Sequence, residues 1–176
     1  MGNLTDLNVT GRLKGKFEAV LGDAHQFIVA GILMRLGFNV SLVALKGEPF
    51  DLVVFAYEKP QGKEIPLRCQ VRASHKSVKF TAGTRGGVDC IYKPNVKKYK
   101  YTTEHNDLII GVDIETLDLY LVPTRFIADW GESRAFSKLQ PLKNNWNILL
   151  NWNDEFLSRL YRQLEPQTTT LSRARF

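Results

Sequence analysis

The sequence is poor in the residue types that build disulfide frameworks, zinc sites and membrane spans. Among its 176 residues there are two cysteines, Cys69 and Cys90, and three histidines. Because the cysteines have no short disulfide-type or metal-type spacing, we expect two reduced thiols in a cytoplasmic protein and no structural zinc. Gly31 and Arg35 interrupt the longest apolar run, and no basic segment followed by an apolar stretch opens the chain. We therefore expect neither a membrane span nor secretion.

Acidic residues are scarce in the middle of the chain. Between residues 59 and 101, Glu64 and Asp89 stand against eleven Lys and Arg, so this segment carries +9 of a chain whose net charge is +6. Tyrosines alternate with lysines near its end. A segment of this kind is typical of a phosphate-facing surface, because each cation near a phosphate releases counterions. A solvated basic face is the alternative interpretation.

The basic segment supplies the candidate nucleic-acid contacts. Arg85 lies in a glycine-rich stretch that permits close approach of the backbone, and the lysines and the tyrosine near residue 99 combine phosphate contacts with base stacking. The predicted nucleic-acid-binding residues are Lys76, Lys79, Arg85, Lys97, Lys98, Lys100 and Tyr99.

Length and composition predict one folded domain. An apolar content of 44% and a charged content of 24% are ordinary for a globular chain of this length. Residues 1–15 read as a polar N-terminal arm, residues 16–166 as the domain, and residues 167–176 as a disordered basic tail.

Apolar periodicity predicts an α/β arrangement. A helix is expected from Lys16 to Leu36, where Gly37 ends the pattern, and a second from an N-cap at Asn153 or Asp154 to Leu164. One helix leading into hairpin-linked strands indicates an α/β layer. The predicted strands are residues 38–43, 50–57, 67–73, 107–113 and 118–123.

Three polar residues stand out in two of these apolar strands. Asp51 lies within the second predicted strand, and Gln70 and Arg72 lie on one face of the third, because alternate residues of a strand point the same way. If the two strands pair, the three side chains converge. Taken separately, each is ordinary, since polar residues are common at strand ends and on sheet faces.

The order of these features resembles that of the PD-(D/E)XK nucleases. The likeness takes in the helix ending at Gly37, Pro49-Phe50-Asp51, the triplet Gln70-Val71-Arg72 and the two later strands, over roughly residues 16–150. Within that superfamily the chain is most similar to the intron-encoded, restriction-like branch, whose triplet reads Gln-x-Lys. The resemblance implies a restriction-endonuclease-like core with a mixed central sheet flanked by helices.

The resemblance also implies an activity and a set of roles. It implies hydrolysis of DNA phosphodiester bonds with Mg²⁺ or Mn²⁺, by a homodimer or tetramer. Asp51 and Gln70 would bind the metal, Arg72 would take the place of the lysine that stabilises negative charge, and Gln26 would occupy the position of a helical Glu. Oxygen ligands suit a hard cation, and a developing phosphorane needs positive charge beside it.

Two positions depart from the family pattern. Gln26 offers an oxygen without charge, and Arg72 offers charge but does not lose a proton. Asp23, on the same helical face as Gln26, and Glu48, just before Asp51, are candidate replacements for the missing carboxylate. For the missing lysine the candidates are His75, Lys76 and Lys79. An ordinary surface position is the alternative interpretation of each replacement.

Three hypotheses follow. The first is a DNA-binding protein of this fold that acts as a metal-dependent endonuclease. The second is a catalytically inactive relative that binds nucleic acid or a protein partner without cleaving, which Gln26 and Arg72 favour. The third is an unrelated α/β interaction module in which Asp51 is structural.

Overall fold

The computed structural model describes residues 10–44, 48–59, 62–83 and 98–164, and these contain three α-helices and nine strands. The helices are α1 (Lys14–Arg35), α2 (Asn147–Leu150) and α3 (Asp154–Leu164). The strands are β1 (Val40–Leu42), β2 (Leu52–Glu58), β3 (Lys63–Ser74), β4 (Ser77–Lys79), β5 (Thr81–Ala82), β6 (Tyr99–Lys100), β7 (Leu108–Asp113), β8 (Leu119–Pro123) and β9 (Ser133–Ala135). Three short 3-10 helices lie between β8 and α2.

A mixed five-stranded sheet forms the centre of the fold, in the order β1-β2-β3-β7-β8. β1 pairs with β2, β2 with β3 and β7 with β8 in antiparallel fashion, whereas β3 and β7 are parallel. α1 packs against β1 and β3, and α2 packs against β2. All of β8, and all of β7 except Asp113, is buried, which explains their nearly continuous apolar sequences. The predicted mixed sheet flanked by helices is confirmed.

Helix α1 begins two residues before the predicted start and ends one residue before the predicted end. Gly37 adopts a φ of 91°, and its N–H donates to the Met34 carbonyl at 2.9 Å. The Phe38 N–H donates to the Leu33 carbonyl at 3.0 Å, which completes a Schellman cap. The buried Phe38 thereby leaves the helix in the direction of β1.

The prediction of Asp51 within a strand is wrong in detail, because β2 begins at Leu52. The Asp51 N–H donates to the Cys69 carbonyl at 2.8 Å and its carbonyl accepts from the Val43 N–H at 2.9 Å, so the backbone is aligned with the sheet. Its side chain bonds to β3, as described below. β1 is shorter than predicted, since Phe38 and Asn39 lie in the exit from α1.

Tertiary pairing accounts for the other differences. β3 is longer than predicted at both ends, because Lys63–Cys69 pair with β2 and Cys69–Ser74 pair with β7. The short strands β4, β5, β6 and β9 were not predicted. They exist as two small pairs, β4 with β9 and β5 with β6, between segments far apart in the sequence.

The C-terminal helix follows the predicted pattern. The Asn153 side-chain oxygen accepts from the Phe156 N–H at 2.9 Å, which is the predicted N-cap of α3. Leu157, Leu160 and Leu164 are buried on its inner face. Trp146, Leu150 and Trp152 pack against the core and Leu149 is fully buried. These four residues therefore serve core packing.

Several predictions fall outside the described residues. Most of the N-terminal arm, the turn at Lys46 and Gly47, Cys90, and the tail at 167–176 lie there. Cys69 is buried with a free thiol, as expected, and burial raises its pKa. The arm, domain and tail boundaries stay predictions.

Of the helices in the described part of the chain, α1 is long and apolar enough to cross a membrane by length and composition. These two criteria are also met by core helices of soluble proteins. The inner face of α1 is packed on the sheet through Val29, Ala30 and Leu33. The sequence-based expectation of no membrane span stays a prediction.

Candidate functional site

The site lies where β3 extends beyond the start of β2. Cys69 pairs with Leu52, the first residue of β2, so from Gln70 onward the edge of β3 facing β2 has no strand partner in the described part of the chain. The Asp51 carboxylate takes the place of a neighbouring strand here, because its Oδ2 accepts a hydrogen bond from the Val71 N–H at 2.8 Å. A buried backbone N–H needs such an acceptor, so Asp51 has a structural role whatever else it does.

Gln70 lies against the same carboxylate. Its side chain is buried, and its Nε2 donates to Asp51 Oδ2 and, at 3.3 Å, to the Val71 carbonyl. The amide thus presents its nitrogen to Asp51. A 180° rotation of the amide exchanges nitrogen and oxygen, and this rotation is required for Gln70 to act as an oxygen ligand beside the carboxylate.

Arg72 points its charge toward the same region. Its positive charge acts on Asp51 in the direction that lowers the pKa of that carboxyl. One terminal nitrogen donates to the Tyr101 hydroxyl, and the guanidinium carbon lies 5.3 Å from the centre of the Tyr101 ring. The Arg72 Nε is buried without a hydrogen-bond partner among the described residues, so the guanidinium keeps an unused donor. The predicted convergence of Asp51, Gln70 and Arg72 is what the structure contains.

The Asp51 carboxyl is held in an environment that disfavours its charge. Burial is the largest influence and raises its pKa above the ordinary value. The hydrogen bond from Val71, the charge of Arg72 and the hydrogen bond from Gln70 act in the opposite direction without cancelling it. The negative charge of Asp23 raises the pKa further. A cation at this position would relieve both the burial of charge and the repulsion between the two aspartates.

The structure distinguishes the candidate second carboxylates. Asp23, exposed on α1, is close enough to Asp51 for its charge to be felt there, whereas Glu48 is not among the groups that shift the pKa of Asp51. Gln26 lies half-buried one turn further along α1. Asp23 and Glu48 therefore both stay predicted replacements for the missing helical Glu, and of the two, Asp23 is the one whose charge acts on the pKa of Asp51.

The donor set fits a hard divalent cation with few protein ligands. Among the described residues no group of three or more His, Cys, Asp and Glu side chains is arranged to hold a metal. Two mutually repelling carboxylates, Asp51 and Asp23, with an amide oxygen available from Gln70, match the Mg²⁺ habit of using one or two carboxylates and keeping several waters. The residues present suit Mg²⁺ or Mn²⁺ better than zinc.

The sequence did not predict that two residues, Asn106 and Tyr101, position the site. Asn106 is fully buried, where its Nδ2 donates to the Pro49 carbonyl at 3.2 Å and its Oδ1 accepts from the Thr124 hydroxyl at 2.5 Å. It ties the segment before Asp51 to the start of β7. Tyr101 was expected on a phosphate-facing surface, but it is buried and holds Arg72. A lone Asn and an alternating Lys-Tyr pattern carry no local signal for either role.

Two of the predicted nucleic-acid contacts are exposed lysines, and two others are lysines bound to groups of the protein itself. Lys76 and Lys79 are exposed beside and on β4. Lys98 bonds to Glu132, and Lys100 donates to the Ala128 carbonyl at 3.0 Å and to the carbonyl of Trp130.

Three predicted contacts remain. One is an aromatic residue in the described part of the chain, and the other two are cations that lie outside it. Tyr99 is exposed, with its ring centre 4.9 Å from that of His105. Arg85 and Lys97 lie outside the described residues. His75, the remaining candidate for the missing lysine, lies 3.2 Å from Glu115 at the surface.

Comparison with solved structures gives the same fold. The chain is similar to the structure of a bacterial homing endonuclease, I-Ssp6803I, with a TM-score of 0.57 and 17% sequence identity over 82% of this chain and 96% of that one. No family model matches the chain, and no curated protein does. The likeness confirms the predicted fold class and leaves the roles of individual residues as predictions.

Proposed function

We propose that this protein binds DNA and hydrolyses its phosphodiester bonds in a reaction that depends on Mg²⁺ or Mn²⁺. The observation that carries the proposal is the convergence of Asp51, Gln70 and Arg72 where β3 extends beyond β2. The fold shared with I-Ssp6803I supports it, since that protein is named a homing endonuclease. Cleavage of both strands by a homodimer or tetramer is part of the proposal.

Asp51 and Asp23 are the proposed metal carboxylates, and Gln70 is the proposed neutral ligand after rotation of its amide. The bound cation supplies Lewis-acid activation of a phosphate oxygen and of water. An arginine guanidinium offers N–H donors and no acceptor, so Arg72 serves as a donor to phosphate oxygens and not as a base. Tyr101 fixes the orientation of the guanidinium.

Nicking of supercoiled plasmid DNA tests the proposal. We expect conversion to nicked circles that requires Mg²⁺ or Mn²⁺, stops with EDTA and disappears in Asp51→Ala. The control is Glu155→Ala, because Glu155 is an exposed carboxylate of α3, a helix that supplies no residue of the site, and its loss should leave the rate unchanged. Protein that cuts no plasmid, duplex or branched DNA with either metal would count against catalysis.

A second function is favoured by specific residues. Gln26 and Arg72 stand where the family has Glu and Lys, and the Gln70 amide nitrogen faces Asp51. We propose as the alternative that the chain binds DNA or a protein partner without cutting. The double variant Gln26→Glu with Arg72→Lys then creates or raises metal-dependent nicking, and an inert but folded double variant would remove the basis of this alternative.

A further inference from the structure

A cluster of three aromatic rings lies beside the candidate site, and Tyr99 is its most exposed member. Tyr99 is 41% exposed, whereas His105 is half-buried and Tyr101 is buried. The Tyr99 ring centre lies 4.9 Å from that of His105, with the two planes inclined by 32°, and 5.9 Å from that of Tyr101, edge to face. Two neighbouring rings therefore hold the Tyr99 ring in place while part of its surface faces solvent.

The extended backbone around β6 explains why the tyrosines gather and the neighbouring lysines do not. Side chains two residues apart share a face of an extended segment, so Tyr99 and Tyr101 point one way and Lys98 and Lys100 the other. Both lysines bond to the segment 128–132. The lysines of this run are thus bound to groups of the protein, and the Tyr99 ring is turned toward the candidate site.

The exposed ring is adjacent to the groups proposed for phosphate chemistry. The Arg72 guanidinium bonds to the Tyr101 hydroxyl and lies 5.3 Å from the Tyr101 ring centre. The pKa of Tyr101 is raised chiefly by burial, and the nearby Tyr99 hydroxyl and Asp51 carboxylate raise it further. These contacts span a few nucleotides at about 3.4 Å each. A phosphate at Arg72 and a base at Tyr99 would therefore belong to the same or to neighbouring nucleotides.

We propose that Tyr99 stacks on an unpaired base, and that the preferred substrate is DNA with an unpaired nucleotide close to the phosphate bound at Arg72. Inside a duplex both faces of a base are covered by its neighbours, so a ring stacks on a base that has left the helix or lies at its end. Every base offers such a face, so this contact selects unpaired DNA and not a sequence. The inference rests on the proposed DNA binding and names its substrate class.

Fluorescence anisotropy in EDTA measures this preference without cleavage. The probes are a fully paired duplex, the same duplex with an unpaired adenine bulge, and one of its single strands. We expect the bulged duplex to bind about 10-fold more tightly than the paired duplex at the same salt concentration. Whichever of the bulged duplex and the single strand binds more tightly identifies whether the unpaired base is bound beside a helix or in a free strand.

Two substitutions of Tyr99 separate stacking from the other contacts. Tyr99→Leu keeps an apolar side chain but removes the ring, so the preference for the bulged duplex should fall to within about 2-fold of none. Tyr99→Phe is the matched control, because it keeps the ring and should keep the preference. A preference that survives in Tyr99→Leu would overturn the inference.

Photocrosslinking of the wild-type chain does not depend on the folding of a variant. With 5-iodouracil at the unpaired position, we expect the crosslink to map to Tyr99, and a crosslink that maps elsewhere would overturn the assignment of the ring. Equal binding of the bulged and paired duplexes would overturn the inference and leave the proposed DNA binding intact. Binding of none of the probes at low salt would overturn the proposed function and this inference with it.

Discussion

At the scale of single residues, Asp51 has a structural role beside the chemical role proposed for it. Its carboxylate supplies the acceptor that the Val71 N–H lacks beyond the start of β2, and burial makes its ionised form costly. A purely structural acceptor has no need of charge, because an amide oxygen accepts the same hydrogen bond. The roles can therefore be separated by substitution.

Asp51→Asn should stabilise the fold while abolishing metal-dependent cleavage. Asn keeps an oxygen for the Val71 N–H and removes a buried charge, so we expect a gain of about 0.5–2 kcal/mol in the free energy of unfolding at neutral pH. Asp51→Ala, which leaves the N–H unpaired, should lose about 1–3 kcal/mol. Urea denaturation of both variants measures the difference.

The gain in Asp51→Asn should depend on pH. The folded-state pKa of Asp51 lies above its unfolded value, so the wild type loses stability as pH rises through the folded pKa. The advantage of Asn is therefore full above that pKa and shrinks toward acid, where Asp51 is protonated in both states. A stability difference independent of pH between about 3 and 8 would contradict a raised pKa.

Tyr101→Phe tests whether Tyr101 positions Arg72. Loss of the hydroxyl removes the hydrogen bond that holds the guanidinium and weakens its action on Asp51. We expect a further rise in the pKa of Asp51, measured by NMR titration of its carboxyl, and a fall in kcat of about 3–10-fold with little change in KM.

Tyr99→Phe is the matched control for this variant, because Tyr99 is exposed and its ring lies 5.9 Å from that of Tyr101. It should leave the pKa of Asp51 unchanged. A Tyr101→Phe protein with an unaltered Asp51 titration would assign Tyr101 to packing alone.

At the scale of elements, the sequence predicts what is encoded locally. α1 with its Gly37 cap and α3 with its Asn153 cap follow from periodicity and from residues within one turn of each end. The start of β2 could not be predicted in this way. Asp51 lies just before it, with a side chain that bonds to β3 twenty residues away, and the local apolar pattern gives no information about that bond. β4 and β9 likewise depend on a pairing across more than fifty residues.

The packing of β4 over β7 depends on one glycine. A Cβ at Gly111 would lie 2.3 Å from Val78 Cγ2, so Gly111→Ala must displace the buried Val78 side chain of β4. We expect a loss of about 1–3 kcal/mol in the free energy of unfolding, which Val78→Ala should partly restore by making room.

Gly22→Ala is the control, because Gly22 lies in α1 with no atom within 4 Å of the added Cβ. It should gain about 0.5–1 kcal/mol. Equal effects of the two alanines in urea denaturation would contradict the close approach of β4 and β7.

At the scale of the whole molecule, the charge count predicted more cations for contact with phosphate than the described residues leave available. Arg68 is held by Asp107 at 3.0 Å, Lys98 by Glu132, and Lys100 by backbone carbonyls. Lys76 and Lys79 remain exposed. Net charge along the chain cannot distinguish these cases, because the partners come from distant segments.

Binding to duplex DNA should weaken steeply between about 50 and 200 mM salt. Replacing both Lys76 and Lys79 by Gln should lower the slope of log K against log salt by about 2, one for each lost phosphate contact. Lys143→Gln is the control, since Lys143 is bound to Asp118 at 2.7 Å. Fluorescence anisotropy measures the slope. Absence of DNA binding at low salt would favour the third hypothesis, an interaction module.

The central claim is that Asp51 holds a divalent cation, and anomalous diffraction from crystals grown with Mn²⁺ and DNA tests it most directly. The account predicts an anomalous peak at about 2.2 Å from the Asp51 carboxylate, with the Asp23 carboxylate or its bound water completing the shell, and no such peak in Asp51→Asn. Crystals that contain DNA and saturating Mn²⁺ but place no ion at Asp51 would contradict it.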